Sequence, residues 1–344
     1  MKIELVDRFA PVSPELPYTT FCYVEHYADD SDMLFVGSQG GEIASFDIAR
    51  RLTRHNLRSD NISKGAGHSG TVTCLVFTQN PKLCHQSKTG LLISGSSDRT
   101  IKVWSPFSLK PLVQTLVGHN GSIAAVADGK DGTLVSCAVD GSLKIWTLQR
   151  GRTLMLNPFF ECTFSLTGKK DTNGASWLNA MTVNSVGIWS CYLGDMNGNI
   201  EVYKKGSELN DVDPHVAPFT GQLTKYTRWE HVHRLGISQL SVASEDNYLV
   251  SLSYDCSCKV LDGSQGQTIF AIDNVRRCMY TGVFWSASSM TFTLVDELGS
   301  MDVFGALAEK IKDSTTIVTP NNRQQKNIIN SHKNPMLNIC EVSG

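Results

Sequence analysis

Two stretches of the chain are near copies of one another: SGSSDRTIKVW, Ser94–Trp104, and SCAVDGSLKIW, Ser136–Trp146. Asp98 and Asp140 stand 42 residues apart, and Trp104 and Trp146 are separated by the same interval. A repeat of this length restricts the chain to architectures that stack one supersecondary unit several times. Each copy reads as two short β-branched and apolar runs around a turn written in Asp, Gly, Ser or Arg. The spacing leaves no room for a crossover helix, so neighbouring strands are expected to run antiparallel.

Weaker copies extend the pattern in both directions. Units fall near residues 17–66, 67–117, 118–166, 175–229, 230–272 and 273–318. The second opens GHSGTVTCLVF at Gly67, and the third opens GHNGSIAAVA at Gly118. The fourth carries Asn197 where Asp98 stands and Tyr203 where Trp104 stands. The fifth keeps Asp255 but has Leu261 in the tryptophan slot, and the sixth has Leu298 and Phe304 at the two slots. A partial seventh unit is expected at 329–344, with Ser331-His332 standing for Gly-His. The alternating run IELVDRF, residues 3–9, is expected to close that last unit and remove an exposed sheet edge.

Six in-phase copies resemble the WD-repeat β-propeller family. The resemblance covers roughly Pro17 to Phe304, is strongest in the two middle units, and implies one all-β domain over 1–344: a ring of four-stranded antiparallel blades. It also implies a hydrogen-bonded set in each well-preserved blade. By position these sets are His68, Ser94, Asp98 and Trp104; His119, Ser136, Asp140 and Trp146; and, without the indole, His231, Ser251 and Asp255. An indole N–H and a turn carboxylate removed from water both need partners, so these residues are expected to brace the turns. The fourth and sixth blades, which keep less of the set, are expected to depend on apolar packing.

Other chemistry is weighed against that frame. A recurring His, Ser and Asp invites a hydrolase reading, but a catalytic site is built once, whereas this trio recurs blade by blade. There is no GxSxG elbow, and GKKDT at Gly168 lacks the context of a phosphate loop. His231-x-His233 with Cys256-x-Cys258 is the one metal-like grouping; its spacing departs from that of zinc pairs, so no metal and no cofactor are expected. Cys84-His85, in the insertion Gln79–Gly90, is expected to be an exposed pair in a solvated loop. Arg276-Arg277 and Lys225–Arg228 are expected to be solvated basic clusters, since no basic stripe with stacking aromatics continues from them.

Bulk properties narrow the function classes. Lys plus Arg is 31 against 33 for Asp plus Glu, a balance that argues against nucleic acid as the main partner. The opening lacks a basic segment followed by an apolar run, no stretch is long enough to span a bilayer, and ten cysteines are scattered through strand-like text. A cytoplasmic chain with reduced thiols is expected, with nuclear or ciliary placement left open.

The expected function is a non-catalytic scaffold for other proteins, with no small-molecule substrate. Two further readings stay open: a substrate receptor of a ubiquitin ligase, and a structural subunit of a cytoskeletal or ciliary assembly. Some ligase-associated propellers resemble one another in a Trp-Asp-x-Arg motif after the third strand. Here the text is WSPF at Trp104 and WTLQ at Trp146, with Arg150 one place late. The expected binding face lies beside the turns after each second strand: Ser97, Val139, Met196 and Tyr254, with Trp177 and Arg234 near the connections into the fourth and fifth units. The insertions Gln79–Gly90 and Gly206–Thr220 are expected on the opposite side, as a second possible contact.

Overall fold

The structure, a computed structural model, describes residues 17–27, 31–48, 50, 52–56, 67–84, 90–106, 112–149, 160–166, 177–185, 188–205, 223–243, 248–286 and 291–305. The expected fold class forms: an all-β array of sheets, with one short helix among the described residues. Strand 3–9 and the seventh unit lie outside the described residues.

The first sheet, or blade, is β1 (Tyr18–Tyr27), β2 (Ser31–Ser38), β3 (Ile43–Asp47) and β4 (Leu52–Asn56). The second is β5 (Val72–Thr78), β6 (Leu91–Ser96), β7 (Ile101–Trp104) and β8 (Leu112–Leu116), with helix α1 (Pro81–Cys84) between its first two strands. The third is β9 (Ile123–Asp128), β10 (Thr133–Ala138), β11 (Leu143–Leu148) and β12 (Phe160–Leu166). The fourth is β13 (Leu178–Asn184), β14 (Ser190–Asp195), β15 (Ile200–Lys205) and β16 (Leu223–Trp229). The fifth is β17 (Ile237–Ala243), β18 (Tyr248–Ser253), β19 (Ser257–Asp262) and β20 (Thr268–Asp273). The sixth has three strands among the described residues, β21 (Tyr280–Ser286), β22 (Thr291–Asp296) and β23 (Met301–Gly305). In every sheet the strands pair in chain order.

Burial explains why the sequence reads as it does. The second strands β6, β10 and β14 are buried at every position, so they read as unbroken runs of apolar and small residues. First strands such as β5 and β9 alternate, and the outer strand β12 is largely exposed.

Two compact units are distinguished. Among the described residues, one holds the first three blades up to Leu178 together with those of Lys204–Thr224; the other holds Asn179–Tyr203 and those of Lys225–Ile339. Within the first, Ile43 of blade one packs with Val72, Leu75 and Phe77 of blade two, while Ile101 and Val103 pack with Ile123, Val126 and Leu134 of blade three. Within the second, Ile200 and Val202 pack with Ile237, Leu240 and Leu249, and Cys258 and Val260 with Tyr280 and Val283. Close approach of blades requires glycine. A Cβ at Gly95 would lie 2.5 Å from Ile123, and one at Gly194 would lie 2.7 Å from Ile237.

Blades one, two, three, five and six each tie their own turn down. The backbone N–H groups of Gln39, Ser97, Val139, Tyr254 and Glu297 donate to the carbonyls of Pro17, Thr71, Ser122, Gly236 and Met279. These bonds join the turn after the second strand to the connection entering the first.

Candidate functional site

The most elaborate polar arrangement lies at these turns. In blade two the Trp104 indole N–H donates to Ser94 Oγ at 2.8 Å, and Ser94 Oγ lies 2.7 Å from His68 Nε2. His68 Nδ1 lies 2.9 Å from Asp98 Oδ2. With the carboxylate ionised, one proton arrangement satisfies all of them: Nδ1–H donates to Asp98, and the Ser94 hydroxyl donates to Nε2. Asp98 also accepts the N–H groups of Ser69 and Thr100 and the Thr100 hydroxyl. Burial alone would raise its pKa, but the bonds from His68 and Thr100 outweigh that and hold it well below the usual carboxylate range.

Blade three repeats the chain with one insertion. Trp146 Nε1 donates to Ser136 Oγ at 2.9 Å, and Ser136 Oγ lies 2.7 Å from His119 Nε2. His119 Nδ1 then meets Ser142 Oγ, which in turn donates to Asp140 Oδ1. Asp140 Oδ2 accepts the N–H groups of Asn120 and Gly121. Burial lowers the His119 pKa to about 4, so the ring is neutral near pH 7.

Blade five corrects the sequence reading. The histidine is His233, not His231: His233 Nε2 lies 3.0 Å from Ser251 Oγ, and Nδ1 faces Ser257 Oγ at 2.9 Å and Asp255 Oδ2 at 3.3 Å. His231 is exposed with φ 54°, and its backbone N–H donates to Asn199 Oδ1. The reason is register. His68 and His119 each stand four residues before the opening residue of a first strand, Val72 and Ile123, and the same offset from Ile237 lands on His233. Counting back from the strand, rather than taking the first histidine met, would have found it.

Blades four and six use residues that the repeat alignment passes over. Asp195 and Asp296 end their second strands, both fully buried at the side chain. Asp195 Oδ1 accepts the N–H groups of Asn197 and Asn199, and Asp296 Oδ1 accepts those of Leu298 and Ser300. Arginine supplies the charge partner: Arg228 Nη2 reaches Asp195 at 3.4 Å, while Arg276 Nε meets Asp296 at 2.6 Å and its Nη2 meets Asp302 at 2.6 Å. These two blades therefore carry polar braces as well as apolar packing, and Arg276 and Arg228 are not merely solvated. Lys225, too, is ion-paired, with Glu201 at 2.6 Å.

The order Ser94, His68, Asp98 is that of a nucleophile, base and carboxylate, yet its chemistry is sealed. Ser94, Ser136 and Ser251 are fully buried, and the Ser94 and Ser136 hydroxyls already accept an indole N–H. A nucleophile must reach a substrate, and these oxygens meet only protein.

The remaining expectations divide. Cys84 is buried rather than solvated: it lies in the core with Leu83, its thiol donates to the Thr78 carbonyl, and burial raises its pKa to about 11. His85 lies outside the described residues. In the His/Cys grouping of blade five, His233 is engaged as above, Cys258 is fully buried, and Cys256 sits in the turn with φ 66°. Among the described residues no three such groups converge. Of the expected face, Ser97 and Arg234 are exposed, Trp177 and Met196 are 55% and 40% exposed, and Val139 and Tyr254 are half-buried. Tyr254 OH accepts from Asn179 Nδ2 at 2.8 Å, and Arg234 gives its backbone N–H to Asp255. No helix among the described residues is long and apolar enough to cross a membrane.

Comparison with known proteins agrees with this geometry. The family model for the WD domain, G-beta repeat, matches residues 60–105 and 110–147. The small ribosomal subunit protein RACK1y of Oryza sativa subsp. japonica is 33% identical over 160 residues, 46% of this chain and 41% of that protein. SIR4-interacting protein SIF2 of Saccharomyces cerevisiae is 26% identical over 146 residues, 41% of this chain and 24% of that one. A p21-activated protein kinase-interacting protein 1-like of Gallus gallus is 23% identical over 195 residues, 56% of this chain and 47% of that one. The matched region thus spans less than half the length of each of these relatives. With in-phase antiparallel blades and a His–Ser–Asp–Trp set at each matched segment, the chain carries WD repeats.

Proposed function

We propose that this protein is a non-catalytic scaffold that presents partner proteins with side chains fixed at the ends of its blades, and that it works in the cytoplasm. The carrying observation is the division between buried brace and exposed neighbour. Asp98 and Asp255 face inward and hold their turns, while Ser97 and Arg234, beside them, face water. A rigid support with variable exposed residues is how binding surfaces are commonly built. The names of two relatives, SIR4-interacting and p21-activated protein kinase-interacting, describe binding to other proteins. The sealed serines support a role without catalysis.

A pull-down under native conditions tests this. Folded Tyr254→Ala/Arg234→Ala protein is expected to lose partners that the parent retains. If that variant keeps every partner while deletion of residues 206–220 loses them, the turn side is the wrong surface.

A further inference from the structure

We propose that the junction between the fifth and sixth blades is a seam, at which the sixth blade parts from the fifth before the junctions one–two, two–three and four–five give way. The inference is independent of the scaffold reading and concerns how the fold opens.

Five blades begin with a bulge. The second residue of the first strand is skipped in the pairing with the second strand: Thr19, Thr73, Ala124, Ser238 and Thr281 in blades one, two, three, five and six. Asn179 is the second residue of β13 in blade four. A bulge re-aims a side chain, and here the target is the next blade. Thr19 Oγ1 donates to the Val72 carbonyl at 2.5 Å, Thr73 Oγ1 to the Ile123 carbonyl at 2.7 Å, and Asn179 Nδ2 to the Ile237 carbonyl at 2.9 Å. Val72, Ile123 and Ile237 each open the first strand of the following blade. One position therefore latches a blade to its successor at three junctions.

Between blades five and six the same latch is open. Ser238 stands at the position, and the equivalent acceptor is the carbonyl of Tyr280, which opens β21. The Ser238 hydroxyl is instead buried with no hydrogen-bond partner, and Gln239 Oε1 beside it is in the same state. Burying a polar group without a partner is unfavourable, and water supplies the missing bond once the blades part. Other junctions add further side-chain bonds. Thr78 donates to Asp128, and Gln114 exchanges two bonds with Phe160, between blades two and three. The Tyr192 hydroxyl donates to the Gly263 carbonyl between four and five. Blades five and six meet through the packing of Leu252 and Cys258 with Tyr280 and Val283, and through the Asn274 N–H, which donates to the Cys256 carbonyl. That bond lies close in sequence to Tyr254, so parting of the two blades alters the turn side of the fifth.

In a stack of repeats the weakest interface opens first. Native-state amide hydrogen exchange of the full-length protein reads the seam. Amides of β21 and β22, rather than of β23 at the sheet edge, are expected to exchange through one shared opening, at least about tenfold faster than those of β17 and β18. Ser238→Asn, which copies Asn179, should slow exchange in β21 and β22 about fivefold, the effect of one added hydrogen bond. Ser238→Thr, which copies Thr73, serves the same purpose should that variant fail to fold. Thr73→Val removes a closed latch and should speed exchange in β5 and β6 about fivefold while leaving β21 and β22 as they were. The proposal is overturned if β21 and β22 exchange no faster than β17 and β18, or if a folded Ser238 variant leaves their exchange unchanged. It is equally overturned if Thr73→Val leaves exchange in β5 and β6 unchanged.

Discussion

The Ser142 hydroxyl lies 2.5 Å from His119 Nδ1, so the imidazole of the third blade reaches its turn aspartate only through a serine. His68, by contrast, touches Asp98 directly. A protonated His119 would have no carboxylate beside it, and its Nε2 would no longer accept the Ser136 hydroxyl. The other charges near it are Asp140 and, with opposite effect, Lys144.

Acid should therefore weaken the fold in a window set by His119. The unfolded side chain takes a proton near pH 6.5, the folded one only near pH 4, so the unfolded chain binds more protons between these values. Stability from this group is complete above about pH 6.5 and declines as pH falls toward about 4, by at most about 3 kcal/mol. Asp98 and Asp255, held below the carboxylate range, extend the loss to still lower pH. Urea denaturation of the parent and of His119→Asn between pH 7 and 4 checks this. The variant should start less stable but show a shallower decline across the window; equal slopes would mean that His119 does not set it.

Removing members of the blade-two set should cost stability in order of the bonds lost. Trp104→Phe deletes one bond to a buried hydroxyl, and about 1–2 kcal/mol is expected. Asp98→Ala removes the acceptor for His68, Ser69 and Thr100, and about 2–3 kcal/mol is expected. Because both act through Ser94 and His68, the double variant should cost less than the sum. Thermal unfolding of the three proteins decides it, and strict additivity would show that the chain of bonds is not one unit.

What was legible in the sequence follows from where specificity is written. Trp104, Trp146, Asp98 and Asp140 repeat at one interval, so the blades and their turns could be read directly. His233 could not be read from residue type alone, because His231 offers the same side chain two positions earlier and only strand register separates them. Asp195 and Asp296 were missed for another reason. They replace a serine position, Ser96 in blade two, and take their partners from opposite sides: Arg228 follows Asp195 on β16, whereas Arg276 precedes Asp296 in the connection into β21. Two braces whose arginines stand at different places in the blade leave no repeat to detect. The burial of Cys84 is similar: α1 is only one turn long, and its packing against Leu91 and Ile93 depends on the folded sheet.

Blades four and six should be sensitive to these substitute braces. Each aspartate side chain is fully buried and pairs with an arginine, so truncation leaves two turn N–H groups without their acceptor and removes one of that arginine's carboxylate partners. Asp195→Ala and Asp296→Ala are each expected to cost about 2–4 kcal/mol. Arg276→Met should also destabilise, because it strands Asp296. Hydrogen exchange checks the location: protection should fall first at 196–199 for Asp195→Ala and at 297–300 for Asp296→Ala. Uniform loss through the chain would argue against local braces.

The turn after Asp98 holds the last prediction. At the position following the turn residue, Gly41, Gly141, Gly198 and Gly299 adopt left-handed backbone, with φ between 77° and 84°. Blades two and five place Arg99 and Cys256 there instead, at φ 69° and 66°. A side chain in this region costs about 1–2 kcal/mol, and glycine gives back about 0.5–1 kcal/mol of that through its more flexible unfolded state. Arg99→Gly and Cys256→Gly should each therefore stabilise the protein by about 0.5–1 kcal/mol. The exposed His231, at φ 54°, should respond in the same direction when changed to glycine, whereas His233→Gly should destabilise, since it empties the site between Ser251 and Asp255. Urea midpoints at pH 7 give the signs. A stabilised His233→Gly or a destabilised His231→Gly would reverse the assignment of the blade-five histidine.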